Sequence, residues 1–292
     1  MRRLLVLLTA TATCMVIAPP SVASLAQRAR GLSDTWGGST AATDAFAFDS
    51  LYEKNGEQRG WANWLIKDRL ILGQYPHCQP AEPGPSADDA QAHLRKTLAA
   101  GVTCFTSLQA ELPPQDDLAA WPAEGVKLAD PEAQRKWPLP FVRYAADADA
   151  IAASLDEPAK LSYLHCSIVD LAVPRKIETL LELLDEILAH YESGGNAIYI
   201  HCWGGRGRAG LVGACILSLL DPSLDADAVL RAVQAGYDTR TGAGNMPAAL
   251  KKSPQTEQQR RFVKSFVSSV RSAARYENDV KMQAQGMPKG YL

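Results

Sequence analysis

Between Ala197 and Leu220 the chain reads AIYIH, then CWGGRGRAG, then LVGACILSLL. Four apolar residues and a histidine have the length of a buried strand. The second apolar run is longer and apolar on every side, as a helix buried all round must be. Four glycines lie in the nine residues that join them. A strand, a glycine-rich turn and a buried helix in that order form an interior unit of a layered α/β fold. A helical bundle and an all-β sandwich have no place for it.

The rest of the chain repeats the alternation. Arg69–Gln74, Val102–Leu108 and Leu161–Ile168 read as further strands. Ser86–Ala100 is helical, with Ser86 as N-cap and Gly101 as stop. Ile177, Leu180, Leu181, Leu184, Ile187, Leu188 and Tyr191 form one helical stripe. Leu224–Ala235 is a helix closed by Gly236. The last helix opens at Ser253-Pro254 and buries Phe262, Phe266, Val267 and Val270. The expected architecture is a central, largely parallel sheet flanked by helices.

Four regions are expected. Residues 1–30 read as a signal or targeting segment: Arg2 and Arg3 precede the apolar run Leu4–Ala18, Pro19-Pro20 end it, and Ser21 and Ala23 suit a signal peptidase. This predicts a secretory or membrane-tethered protein, with membrane contact only through an uncleaved segment. The absence of acidic residues before Asp34 keeps organelle import as an alternative, and an uncleaved terminus is the third. Residues 31–60 read as a flexible linker, 61–275 as one catalytic domain and 276–292 as a polar tail.

With 30 Lys plus Arg against 32 Asp plus Glu, the chain has no basic surplus for nucleic acid. Six cysteines without a CxxC pair give no disulfide scaffold, and no His spacing suggests a metal site. Neither metal nor cofactor is expected.

The chemistry is expected at the glycine-rich turn. Successive backbone N–H groups from Trp203, Gly204, Gly205, Arg206, Gly207 and Arg208 can line an anion-binding cup, and the next helix adds its positive end. Cys202 on the floor of that cup would be held as thiolate. Arg208, six positions on, carries a planar fork that grips two phosphate oxygens. Two other readings compete. Gly205, Gly207 and Gly210 spell GxGxxG, but helix, turn and helix follow where a dinucleotide-binding unit needs a second strand. A merely structural cysteine leaves Arg206 and Arg208 unexplained.

His201-Cys202-(five residues)-Arg208 resembles the signature loop of the cysteine-based protein tyrosine and dual-specificity phosphatases. Arg69–Gly73, Gly101–Leu112 with Pro113-Pro114, and Ser253–Val263 are similar to further parts of the family, with the kinase-associated phosphatase group nearest in pattern. The resemblance implies a phosphomonoester hydrolase. Cys202 attacks phosphorus, an Asp protonates the leaving oxygen, and water then hydrolyses phosphocysteine. It places the acid at Asp170, with Asp116 and Asp117 as fallbacks and a helix-capping role as the bland reading of Asp170. It gives His201 the task of orienting the Cys202 backbone. Implied substrates are phosphorylated proteins (phosphotyrosine, and phosphoserine or phosphothreonine), or alternatively a phosphoinositide or other phosphorylated small molecule. A pseudophosphatase that only binds phosphorylated partners is the reading of another class.

Trp203 either borders substrate or packs beside the loop. Gln255 and Gln258 either help place the hydrolytic water or face solvent. Cys104, Cys166 and Cys215 read as core residues, with Cys166 as a conceivable redox partner of Cys202. Most members of the family have Ser or Thr where this chain has Ala209; the phosphatases of regenerating liver also have Ala there and resemble slow enzymes. That substitution predicts slow hydrolysis of phosphocysteine.

Overall fold

The computed structural model describes residues 19–36, 43–81 and 83–284. The apolar run before Pro19 and the last residues of the expected tail lie outside them.

Five strands form the central sheet: β3 (Ala62–Ile66), β4 (Leu70–Gly73), β5 (Val102–Gln109), β6 (Ser162–Ile168) and β7 (Ala197–His201). Their order is β3-β4-β7-β5-β6. Neighbours pair in parallel except β3, which is antiparallel to β4 at the edge. The fold is thus the expected α/β architecture with a largely parallel sheet. Its strands are apolar on both faces because both faces are covered. In β7, Ile198 and Ile200 enter one core while Ala197 and Tyr199 enter the other. The second core also takes Ala90, Leu94 and Leu98 of α2 (Ala87–Ala99) and Ala148, Ile151 and Ala152 of α4 (Ala145–Ala153). Helix α3 (Pro131–Lys136) is short and outlying, with no buried residue.

The first core is built by α5 (Ile177–Glu192), α6 (Arg208–Leu220), α7 (Ala226–Asp238) and α8 (Glu257–Ala284). Every residue of α6 is buried, as its apolar circumference required. Ser86 caps α2 as expected, in a reciprocal capping box with Asp89.

Three boundaries differ from the sequence expectation. Helix α1 (Val22–Trp36) is integral to the domain: Leu25, Ala26 and Ala29 are fully buried in the first core. Arg28 also binds Glu192 of α5 at 2.6 and 2.9 Å and pairs with Asp185. The expected linker contains a hairpin, β1 (Leu51–Lys54) and β2 (Glu57–Gly60), turned by Asn55 and Gly56 in left-handed conformation. Tyr52 of that hairpin and Phe46 before it are buried. At the other end, α8 runs through the start of the expected tail.

Two helix ends also move. Gly236 does not stop α7; it lies buried within the helix, where a Cβ would sit 2.6 Å from Asn63 Nδ2. Helix α8 begins at Glu257 rather than Ser253. Thr256 and Gln259 exchange hydrogen bonds of 3.0 and 3.2 Å in a capping arrangement, and Ser253 Oγ donates instead to the Arg206 carbonyl at 2.9 Å. No helix among the described residues is long and apolar enough to cross a membrane.

Candidate active site

In an open parallel sheet, functional loops gather beyond the carboxyl ends of the strands. Here β7 is central, and its register aligns Gly73, Ser107 and His201 across three strands. The segments that follow β4, β5, β6 and β7 therefore meet at one place.

The loop from Cys202 to Gly207 is held by its carbonyls. Trp203 O accepts from the Tyr75 amide at 3.0 Å, and Gly205 O accepts from Arg240 Nη2 at 2.8 Å. Gly204 O accepts from Arg240 Nη1 at 3.4 Å. Arg206 O takes Ser253 Oγ, and Gly207 O takes the Leu211 amide at 3.0 Å. With the carbonyls fastened outside, the N–H groups are left for the concave side, the arrangement of an anion nest. Gly205 makes the reversal possible. Its φ is +65°, and a Cβ there would stand 2.2 Å from the Gly73 carbonyl carbon.

Cys202, 3% exposed, lies at the base of a cleft of about 420 Å³ that Asp170, Trp203, Arg206, Arg208 and Gln255 also line. Arg208 is 1% exposed. Its two terminal nitrogens bind the Glu111 carboxylate side-on at 2.7 and 2.9 Å, and Nη1 also donates to Ile168 O at 3.0 Å. Asp170 Oδ1 lies 3.0 Å from Nη2. Burial alone would lower the pKa of this guanidinium; Glu111, with help from Cys202 and Asp170, raises it instead. The remaining donor, Nε, is buried without a partner among the described residues. The fork is thus oriented by one carboxylate while keeping a donor for a further anion.

His201 is fully buried and shares a 2.8 Å hydrogen bond with Tyr144 Oη. Burial, with His165 and Arg208 nearby, lowers its pKa to about 3. A neutral, enclosed ring is suited to holding a strand end, not to carrying protons at neutral pH.

Residues 151–263 match the family model described as a Swiss Army Knife protein, DSP-PTPase phosphatase domain, and this segment contains Asp170, Cys202 and Arg208. Over that segment, which is less than half of the chain, the protein is similar to the dual-specificity phosphatases. No curated protein matched it. Among solved structures, a kinase associated phosphatase with its catalytic cysteine replaced by serine is 15% identical, with a TM-score of 0.46, covering 75% of this chain and 98% of its own. PTPMT1 in complex with PI(5)P is 14% identical at a TM-score of 0.42, covering 73% and 99%. PTPN18 with HER2 phosphopeptides is 16% identical at 0.42, covering 85% and 92%.

The cleft and its surroundings hold residues that the sequence reading did not single out. Glu111 sits two positions beyond β5, beside the end of β7. Its signal was a carboxylate just past a parallel strand, overlooked in favour of Asp116 and Asp117. Those two are exposed and do not line the cleft, and Asp117 caps a short turn through the Ala120 amide at 3.2 Å. Gln258 is exposed, whereas its neighbour Gln259 is fully buried and donates to Ala172 O at 3.0 Å, next to Gly207. Gln255 accepts from Arg206 Nε at 3.2 Å at the cleft wall. Trp203 answers to both of its readings: it lines the cleft, and its ring meets Trp137 and Phe141 edge-on, each at 5.5 Å. Cys166 is a buried core residue whose thiol is pushed up to about 11 by burial.

Proposed function

We propose that the protein hydrolyses phosphomonoesters through a phosphocysteine intermediate, with Cys202 as nucleophile, Arg208 as clamp and Asp170 as general acid. The amides from Trp203 to Arg208 and the amino end of α6 hold the three equatorial phosphoryl oxygens and favour the Cys202 thiolate. The thiolate forms an S–P bond as the ester P–O bond breaks, and the departing oxygen takes a proton from Asp170. Water then attacks the phosphocysteine, Asp170 recovers the proton, and inorganic phosphate leaves.

The carrying observation is the Arg208 guanidinium, fixed by Glu111, within 3.0 Å of Asp170 in the cleft that Cys202 also lines. A module that only binds phosphorylated partners has no need of a carboxylic acid beside the clamp. Hydrolysis of a small aryl phosphate, resistant to EDTA, blocked by vanadate and absent in Cys202→Ser, is the expected result. A Cys202-independent or EDTA-sensitive rate would refute the mechanism. Protonation of a leaving group contributes roughly 10²–10⁴-fold. Asp170→Asn therefore loses most activity on alkyl phosphates and much less on an activated aryl ester, and equal losses on both would make Asp170 structural.

Two substrate classes suit this reaction. Dual-specificity action on phosphotyrosine, phosphoserine or phosphothreonine of a protein follows from the family. A compact, multiply phosphorylated small molecule is favoured by cations of the β1–β2 hairpin at the cleft. For the N-terminal segment, the reading is export or membrane tethering through the run ending at Ala18.

A further inference from the structure

The hairpin mistaken for a linker brings two cations to the active cleft. Lys54 lines the cleft itself. Arg59 lines a smaller adjoining pocket of about 80 Å³, whose walls Gly204 and Arg206 are shared with the cleft. No carboxylate lines that smaller pocket. Arg59 donates to Gly242 O at 2.8 Å and pairs with Glu57 at 2.6 Å. Arg206 has only the neutral Gln255 side chain as partner, and Lys54 has no ion pair among the described residues. Burial and the nearby Arg59 both lower the pKa of Lys54. Beneath them lies Arg240, buried and spent on backbone carbonyls and Asn63. Four cations thus stand around the Gly204–Arg206 stretch; of the carboxylates near them, Glu57 is paired with Arg59, and Asp170, which lines the cleft, is paired with Arg208.

Mutual repulsion of this kind is unfavourable unless an anion joins the group. We propose that Lys54, Arg59 and Arg206 form a second phosphate subsite, which takes another phosphate of the same substrate molecule while the first lies on the Cys202 loop. The proposal rests on the phosphomonoesterase reading and names its substrate class: a compact scaffold, such as a sugar or cyclitol, with at least two phosphates. Size favours a compact carrier. The smaller pocket, about 80 Å³ against about 420 Å³ for the cleft, shares Gly204 and Arg206 with it, so two phosphates must lie close together to fill both. Two phosphates on one ring are held that close by the ring itself, whereas on a peptide each stands at the end of its own side chain.

The test is binding to the Cys202→Ser protein, which does not depend on turnover. Calorimetry compares inositol monophosphate with inositol bisphosphates whose phosphates lie on adjacent, alternate and opposite carbons. At least one bisphosphate is expected to bind about tenfold or more tighter than the monophosphate, the gain of one charge-assisted contact. The ratio between the two should collapse toward one in Lys54→Met, recover in Lys54→Arg, and also fall in Arg59→Gln. The same headgroups in phosphatidylcholine vesicles separate a lipid source from a soluble one: tighter binding in vesicles assigns the lipid, and tighter binding free in solution assigns the soluble ester. Equal binding of mono- and bisphosphates, a preference that survives Lys54→Met, or stronger binding of a doubly phosphorylated peptide would each overturn the subsite. Equal binding alongside Cys202-dependent aryl phosphate hydrolysis would leave the phosphomonoesterase reading standing. Absence of that hydrolysis would be the failure of the reading itself.

Discussion

Two buried arginines flank the Cys202–Gly207 loop, and they are held in opposite ways. Arg208, at the amino end of α6, faces the carboxylates of Glu111 and Asp170, which follow β5 and β6. Arg240, just after α7, has no carboxylate partner among the described residues; it donates to Asn63 Oδ1 at 2.7 Å, to Leu72 O at 2.8 Å and to the carbonyls of Gly204 and Gly205. The pKa of Arg208 is raised on balance, whereas that of Arg240 is lowered, chiefly by burial, with Arg206 adding to the effect. One side of the loop is arranged to orient a cation toward an anion. The other uses a cation to fasten backbone. The proposed clamp and the scaffolding arginine look alike in sequence and are distinguished here by their acceptors.

The comparison can be broken first at Arg208. Arg208→Lys keeps the charge but not the fork, so kcat/KM for an aryl phosphate should fall about 10²-fold or more. Near-normal kinetics would remove Arg208 from its role. Next comes the glycine that permits the loop's turn. Gly205→Ala meets the Gly73 backbone and needs a positive φ, whereas a Cβ at Gly204 meets only the mobile end of Arg206 at 3.2 Å. Gly205→Ala should abolish most activity and Gly204→Ala reduce it only a few-fold, and equal effects would show that the loop is not built as described.

Arg240→Met should cost stability more than it costs specificity. Buried carbonyls left unpaired are worth about 1–3 kcal/mol each, partly relieved by relaxation, so a loss of about 2–4 kcal/mol is expected in urea unfolding. Glu111→Gln sharpens the contrast: it keeps a hydrogen-bonding partner for Arg208 and should leave stability within about 1 kcal/mol while lowering kcat/KM about tenfold. The reverse pattern would exchange the two roles.

The smallest effect is expected at Ala209, which is fully buried at the first turn of α6. Ala209→Ser adds a hydroxyl beside Cys202 and should raise the steady-state rate a few-fold, leaving the first-turnover burst nearly unchanged. A wild-type reaction without a burst, and no gain in the variant, would show that phosphocysteine hydrolysis is not limiting.

What the sequence disclosed follows from where the physics is local. β7, its glycine-rich turn and α6 are continuous in the chain, and burial on all sides leaves an unbroken apolar pattern, so the Cys202–Arg208 loop was legible. Asp170 was singled out through its place after a strand and the resemblance, and it lies in the cleft beside Arg208. Glu111 and Arg240 were not, because their partners are 97 and 36 residues away and no periodicity marks a pairing made by sheet order. The hairpin was hidden by composition. LYEKNGEQRG is polar and short, and only the Asn55-Gly56 turn signalled strand pairing. Helix α1 was obscured by its closeness to the apolar run before it, although Leu25, Ala26 and Ala29 already had helical spacing.

The central claim is that the thiol of Cys202 becomes covalently bonded to phosphorus. Rapid acid quenching of the protein with an activated aryl phosphate, followed by proteolysis and mass spectrometry, measures this directly. The account predicts a phosphorylated peptide with the phosphate on Cys202, formed within the first turnover and absent in Cys202→Ser. Product release with no phosphocysteine at any quench time, at a rate unchanged in Cys202→Ser, would contradict it.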